Sequence, residues 1–119
     1  RPIAAPAIFS LAGLAAHETT VIERQEQKAH VIDGAAAATN HWQAGGWHGH
    51  ARGKDSPGRR RIMCDEVPPD FDPAFAWLAP PILNDRTRLV MIADARQGRV
   101  LAQGYEADGA ATAVLDLAA

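Results

Sequence analysis

Residues 35–42 run from an alanine segment into four side chains that could do chemistry, Thr39, Asn40, His41 and Trp42. An Asn at such a transition carries one carbonyl acceptor and two N–H donors on a short stem. Those donors suit a carbonyl oxygen that becomes an oxyanion during acyl transfer, and the same side chain also suits closing a turn. His41, His48, His50 and Cys64 are ligand types for zinc, but their only regular spacing is His-x-His in a glycine-rich loop. Cys64 is the one thiol, and a free cysteine is most often a small buried apolar group. Neither Ser10 nor Ser56 sits in a nucleophile elbow. Gly45-Gly46 is followed by Trp47 and not by a Lys-Ser/Thr pair, so there is no phosphate-cradling loop.

The 119 residues carry a formal charge of −2, which gives no general field for nucleic acid or an acidic membrane. Composition is that of a soluble globular protein, expected as a single domain or a fragment of one across 1–119. One cysteine cannot form an internal disulfide, which leads to the expectation of a reducing, cytoplasmic setting. The apolar run Ile3 to Ala16 is short of the roughly twenty residues a bilayer span needs. Arg1 before it and Ala15-Ala16 behind it imitate a signal peptide, although one Arg is a poor basic region and Pro6 interrupts the run. A buried helix or strand-like piece of a core is the expectation here, in a chain that starts at Arg1 and therefore reads as processed or as a fragment.

The elements that must position Asn40 come on either side of it. Thr20, Ile22 and Arg24 alternate with Thr19, Val21 and Glu23, predicting a strand; a polar turn at Gln25-Glu26-Gln27 leads to a second strand, Lys28 to Ile32. Asp33-Gly34 is a turn signal, and a third strand, Ala35 to Thr39, is predicted to complete an antiparallel meander that ends at Asn40. Gln43 to Lys54 is a glycine-rich loop in which Trp42 and Trp47 either wall a pocket or cover the loop against the core. Asp55 or Ser56 caps a helix with Pro57 in its first turn, running to about Cys64. Arg59, Arg60 and Arg61 fan around that helix and cannot all serve one partner.

Val67 to Pro81 contains five prolines and reads as a wrapped loop, with Asp72 capping one or two helical turns and Phe71, Phe75 and Trp77 packing it down. Arg88–Ala93 and Arg99–Tyr105 flank a turn closed by Gly98, predicting a hairpin. Both faces of its first strand are apolar, which predicts a central strand or one covered on both sides. Asp108-Gly109 turns the chain into a last strand, Thr112 to Leu117.

The order Thr20-Val21-Ile22-Glu23-Arg24, Val31-Ile32-Asp33-Gly34, Thr39-Asn40-His41-Trp42, Asp55-Ser56-Pro57-Gly58-Arg59 resembles the N-terminal-nucleophile linear-amide hydrolases of the acyl-coenzyme A:6-aminopenicillanate acyltransferase and acid-ceramidase-like kind. The resemblance spans about Glu18 to Leu117. It implies an α+β fold, the C-terminal part of an αββα sandwich, and cleavage or transfer of an acyl group at a linear amide through a thioester. It further implies Asn40 as the oxyanion donor, Trp42 and Trp47 along the acyl side, and Arg59 orienting a carboxylate or buttressing the site. No cofactor and no metal are implied. In that family a cysteine freed as a new N-terminus attacks the amide, whereas this chain has no cysteine before Cys64. The implied partners are therefore a small acyl-amide or acyl-thioester substrate and an N-terminal part of the same protein bearing the nucleophile, with no nucleic acid and no membrane span. A β-rich binding or assembly module and a zinc hydrolase built on the loop histidines are the alternatives from other classes.

Overall fold

Strand β2, Thr19–Gln25, is the middle of an antiparallel three-stranded sheet in the computed structural model, between β1, Ala7–Ala12, and β3, Lys28–Asp33. The structure describes residues 5–15, 17–34, 37–47, 49–67 and 71–118. These form two compact units, Arg1–Glu66 and Val67–Ala119, of α+β character with antiparallel sheets and one short helix. Among the described residues no helix is long and apolar enough to cross a membrane.

The alternation of β2 sorts its side chains as the sequence predicts. Val21 and Glu23 point inward and are fully buried, while Thr20, Ile22 and Arg24 face the other side. Gln25 pairs with Lys28 across a tight turn in which Glu26 takes φ 54°, the left-handed conformation that two-residue hairpin loops demand. The N-terminal apolar run is strand-like where described, as β1, but it is not buried. Phe9, Leu11 and Leu14 are each at least half exposed, because β1 lies at the sheet edge with its outer face bare.

The third strand predicted at Ala35 to Thr39 is absent over its described part: Ala37 to Thr39 have no regular structure, and Ala35 and Ala36 lie outside the described residues. Both edges of β2 are already taken by β1 and β3, and alanines bring little strand preference of their own. The chain instead folds across the inner face of the sheet, burying Ala37 and Ala44.

Helix α1, Ser56–Asp65, starts where the sequence predicts. Asp55 is the cap and its Oδ1 accepts from Gly58 N at 3.0 Å, with Pro57 in the first turn where a missing N–H costs nothing. At the other end Glu66 N donates to Ile62 O at 2.9 Å.

In the second unit β5, Arg99–Glu106, is central. β4, Leu89–Asp94, pairs along one side of it, and β6, Gly109–Ala110, and β7, Leu115–Ala118, pair along the other. The β4–β5 turn is the predicted one, with Gly98 at φ 60° and Asp94 Oδ1 accepting from the N–H groups of Arg96 and Gln97. The last strand begins later than predicted because Thr112 is occupied elsewhere: its Oγ1 accepts from Gly104 N at 3.0 Å.

One face of this sheet carries Val90, Leu101 and Tyr105, which form a core with Phe75 and, around it, Phe71, Trp77, Leu78, Leu83 and Ile92. The proline-rich connector is thus a wrapped loop, as predicted, although Pro68 and Pro69 lie outside the described residues. Asp72 does gather two N–H groups, those of Ala74 and Ala76, yet Phe75 at φ 50° stops any right-handed helix from following. The other face corrects a prediction. Strand β4 is an edge strand, and Leu89, Met91, Leu115 and Leu117 stand more than half exposed on that face. Apolar character on both faces showed what the side chains were, not what covers them.

Candidate functional site

The first unit holds a half-open cavity of about 690 Å³. Its walls are β1, through Ala7, Ile8 and Ser10, the segment Ala38 to Trp42, the loop residues Gly49, His50 and Arg52, and Arg59 of α1. One buried carboxyl fixes the loop that forms most of this wall. Glu23, with no exposed surface, accepts from Gln43 N at 2.7 Å and from Ala44 N at 2.8 Å, one backbone donor on each oxygen. Bonds from N–H groups to an ionised acceptor are the strong kind, so the strand is stapled to the loop directly after Trp42.

Asn40 is held at both ends. Its backbone oxygen accepts from Arg52 N at 2.8 Å, and its side-chain Oδ1 accepts from Arg59 Nη2 at 3.0 Å. Arg59 is itself fixed by a bond from Nε to Lys54 O at 2.8 Å. A guanidinium has donors only, so the Asn40 atom facing it must be the oxygen, and among the described residues no acceptor meets the Nδ2 amide. Gly53 makes this approach possible: it has φ 75°, and a β-carbon there would stand 3.2 Å from Arg59 Nη2.

Beside Asn40, three side chains close a second network. The Thr39 hydroxyl donates to Ser56 O at 3.0 Å, and His41 Nδ1 lies 3.0 Å from Thr39 Oγ1 and 2.9 Å from Ser56 Oγ. Both residues flanking Asn40 are thereby tied to the first residue of α1. Ser56 and His41 have the distance of a nucleophile–base pair, but Ser56 is 1% exposed and does not line the cavity. Its hydroxyl is part of the scaffold.

Of the residues named from sequence, Asn40, Trp42 and Arg59 come together on the cavity wall, and so do His41 and His50 of the zinc alternative. Trp47 stands behind Trp42, with the rings edge-to-face at 5.2 Å and 69°, and is not part of the wall itself. Arg59 meets Asn40 through its Nη2 donor. Cys64 lies more than two helical turns beyond Ser56 and does not line the cavity. Among the described residues no three His, Cys, Asp or Glu side chains converge on a metal position; His48, one of the residues considered for zinc, lies outside them.

Sequence reasoning missed Glu23 and Arg52 as parts of the site, and named His50 only as a candidate zinc ligand. Glu23 had a signal, since it shares the buried face of β2 with Val21, and a carboxyl there demands donors. Arg52 had none, because a glycine-rich loop has no period from which side-chain direction can be read. No protein-family model, no curated protein and no solved structure matches this chain.

Proposed function

We propose that this chain is the oxyanion-binding and acyl-binding portion of an N-terminal-nucleophile amidase or acyltransferase acting on linear amides. Its two antiparallel sheets and single helix would be parts of an αββα sandwich. The observation that carries the reading is the bond from Arg59 Nη2 to Asn40 Oδ1, on a residue that lines the cavity and whose Nδ2 meets no acceptor among the described residues. A donor locked by a cation before substrate arrives needs no reorganisation when charge develops, the condition under which oxyanion stabilisation is most effective.

In this reading a cysteine outside residues 1–119 attacks the amide carbonyl carbon and forms the C–S bond. The carbonyl π electrons move to the oxygen, where Asn40 Nδ2–H donates to the anion. Collapse breaks the C–N bond, the amine leaves with the proton that the thiol gave up on attack, and the resulting thioester passes its acyl group to water or to another acceptor, the sulfur regaining a proton. Trp42, backed by Trp47, supplies apolar surface for the acyl chain, and Glu23 holds the loop that carries it.

The test uses the full-length product of the gene encoding this chain. Mixed with N-acyl amides and acid-quenched, it is expected to gain the mass of one acyl group on a cysteine outside these 119 residues. An adduct on Cys64, or turnover with no adduct in a pre-steady-state burst, overturns the reading.

A further inference from the structure

We propose that Trp42 serves this site through its indole N–H as well as its apolar face, Nε1 donating to the same substrate carbonyl oxygen as Asn40 Nδ2; the inference rests on the amide-cleaving reading above. Trp42 lines the cavity, and so does Gly49, which the indole meets with its pyrrole edge. A β-carbon at Gly49 would stand 3.0 Å from Trp42 Nε1 and 3.3 Å from its Cδ1. Any other residue there would cover the N–H edge, and glycine leaves it open on the wall. Edge-to-face packing against Trp47, with centroids 5.2 Å apart, backs the ring and limits its rotation.

An indole N–H is a donor and nothing else, and a buried tryptophan ordinarily spends it on an acceptor. Trp42 is half-buried, and among the described residues no acceptor meets its Nε1. Asn40 Nδ2, two residues earlier on the same segment and the same wall, is in the same position. Between them His41 is committed through Nδ1, 2.9 Å from Ser56 Oγ, to a hydroxyl that does not line the cavity. The segment therefore brings two neutral donors without a protein acceptor to one wall. A carbonyl oxygen has two lone pairs, one for each donor, and it needs both most when attack on its carbon makes it an anion. A purely apolar acyl chain laid over Nε1 would strip it of water and leave it unpaired, which opposes binding. An oxygen at that point is what the wall is built to take.

The three tryptophans give three indole N–H signals in a nitrogen–proton correlation spectrum of the 119-residue chain, and Trp42→Phe identifies that of Trp42. Titration with N-propylhexanamide, a neutral linear amide, is expected to move the Trp42 Nε1–H and Asn40 Nδ2 signals downfield along one saturation curve. In the full-length gene product, benzothienylalanine at position 42 replaces the Nε1–H group by sulfur and keeps the ring area. It is expected to lower kcat about a hundredfold with KM nearly unchanged, as loss of one oxyanion donor does. A Trp42 signal that stays in place while Asn40 Nδ2 moves, or parental turnover in the benzothienyl protein, overturns the inference and leaves the amide reading standing. Movement of Trp42 Nε1–H without Asn40 Nδ2 removes the shared oxygen and overturns the inference as well. Movement of neither signal overturns both the inference and the reading beneath it.

Discussion

Replacing Glu23 by Gln changes one oxygen to an NH2 group and nothing else in shape, and the geometry makes the outcome calculable. Each Glu23 oxygen accepts one backbone N–H, from Gln43 and from Ala44, with no solvent present. In Glu23→Gln one of these N–H groups faces another donor, forfeiting a bond to a charged acceptor worth about 1.5–3 kcal/mol. The surviving bond becomes neutral and weakens by about 1 kcal/mol. Removing the buried charge returns part of this through lower desolvation, so a net loss of about 2–3 kcal/mol is expected. For a unit of this size that is at least about 10 °C in melting temperature. Urea unfolding followed by tryptophan fluorescence, with Trp42 and Trp47 in the affected loop, measures it, and hydrogen exchange at the Gln43 and Ala44 amides shows whether the loss is local. A variant within about 0.5 kcal/mol of the parent, with those amides still protected, would refute the view that Glu23 holds the site's loop in place.

Gly58→Ala should fail to stabilise α1 despite the better helix propensity of alanine, because a β-carbon at Gly58 collides with the Asp55 carboxyl that caps the helix. In an Asp55→Ala background, where the cap is already lost, the same substitution should stabilise by about 0.5–1 kcal/mol, so the two changes are non-additive in chemical denaturation. Asp116 and Arg99 form a two-bond pair at 2.9 and 2.6 Å, and the Arg99 guanidinium holds the Asp116 carboxyl below its ordinary value. A depressed carboxyl contributes stability that is present above the unfolded value near 3.8 and lost as pH falls through the folded one. The difference in melting temperature between parent and Asp116→Asn should therefore be small but real at neutral pH, shrink with added salt, and fade as pH drops below the unfolded value near 3.8. The isolated 119 residues should turn over neither amides nor thioesters; a burst of acyl-enzyme that disappears in Cys64→Ala would instead make Cys64 the nucleophile.

Local chemistry was readable wherever a short segment decides its own conformation. The Asp55 cap with Pro57 behind it, the 94–98 turn ending in Gly98, and the period-two alternation of β2 all appear at their predicted places. What failed depended on partners distant in the chain. Ala37 to Thr39 looked like a strand because an apolar run followed a turn, but β1 had taken the free edge of β2. Strand β4 looked central because both its faces are apolar, yet Leu89 and Met91 are exposed on one of them. The site divides the same way. Asn40 and Arg59 were nameable from residue types and order, and the bond that joins them spans 19 positions that no local rule connects. Arg52 reaches the cavity through a loop of glycines, where sequence gives no direction at all.

The central claim is that Asn40 donates to an oxyanion while Arg59 holds its oxygen, and the most direct measurement is the turnover of Asn40→Asp in the full-length gene product beside its melting temperature. The substitution keeps the size and offers Arg59 an acceptor as good as before, but it replaces the Nδ2 donors with a charge that repels the developing anion. The account predicts a fall in kcat of about a hundred- to a thousand-fold, little change in KM, and a melting temperature equal to or above that of the parent. Near-parental turnover in well-folded Asn40→Asp would contradict it, and a lowered melting temperature with unaltered kcat would make Asn40 a turn residue and nothing more.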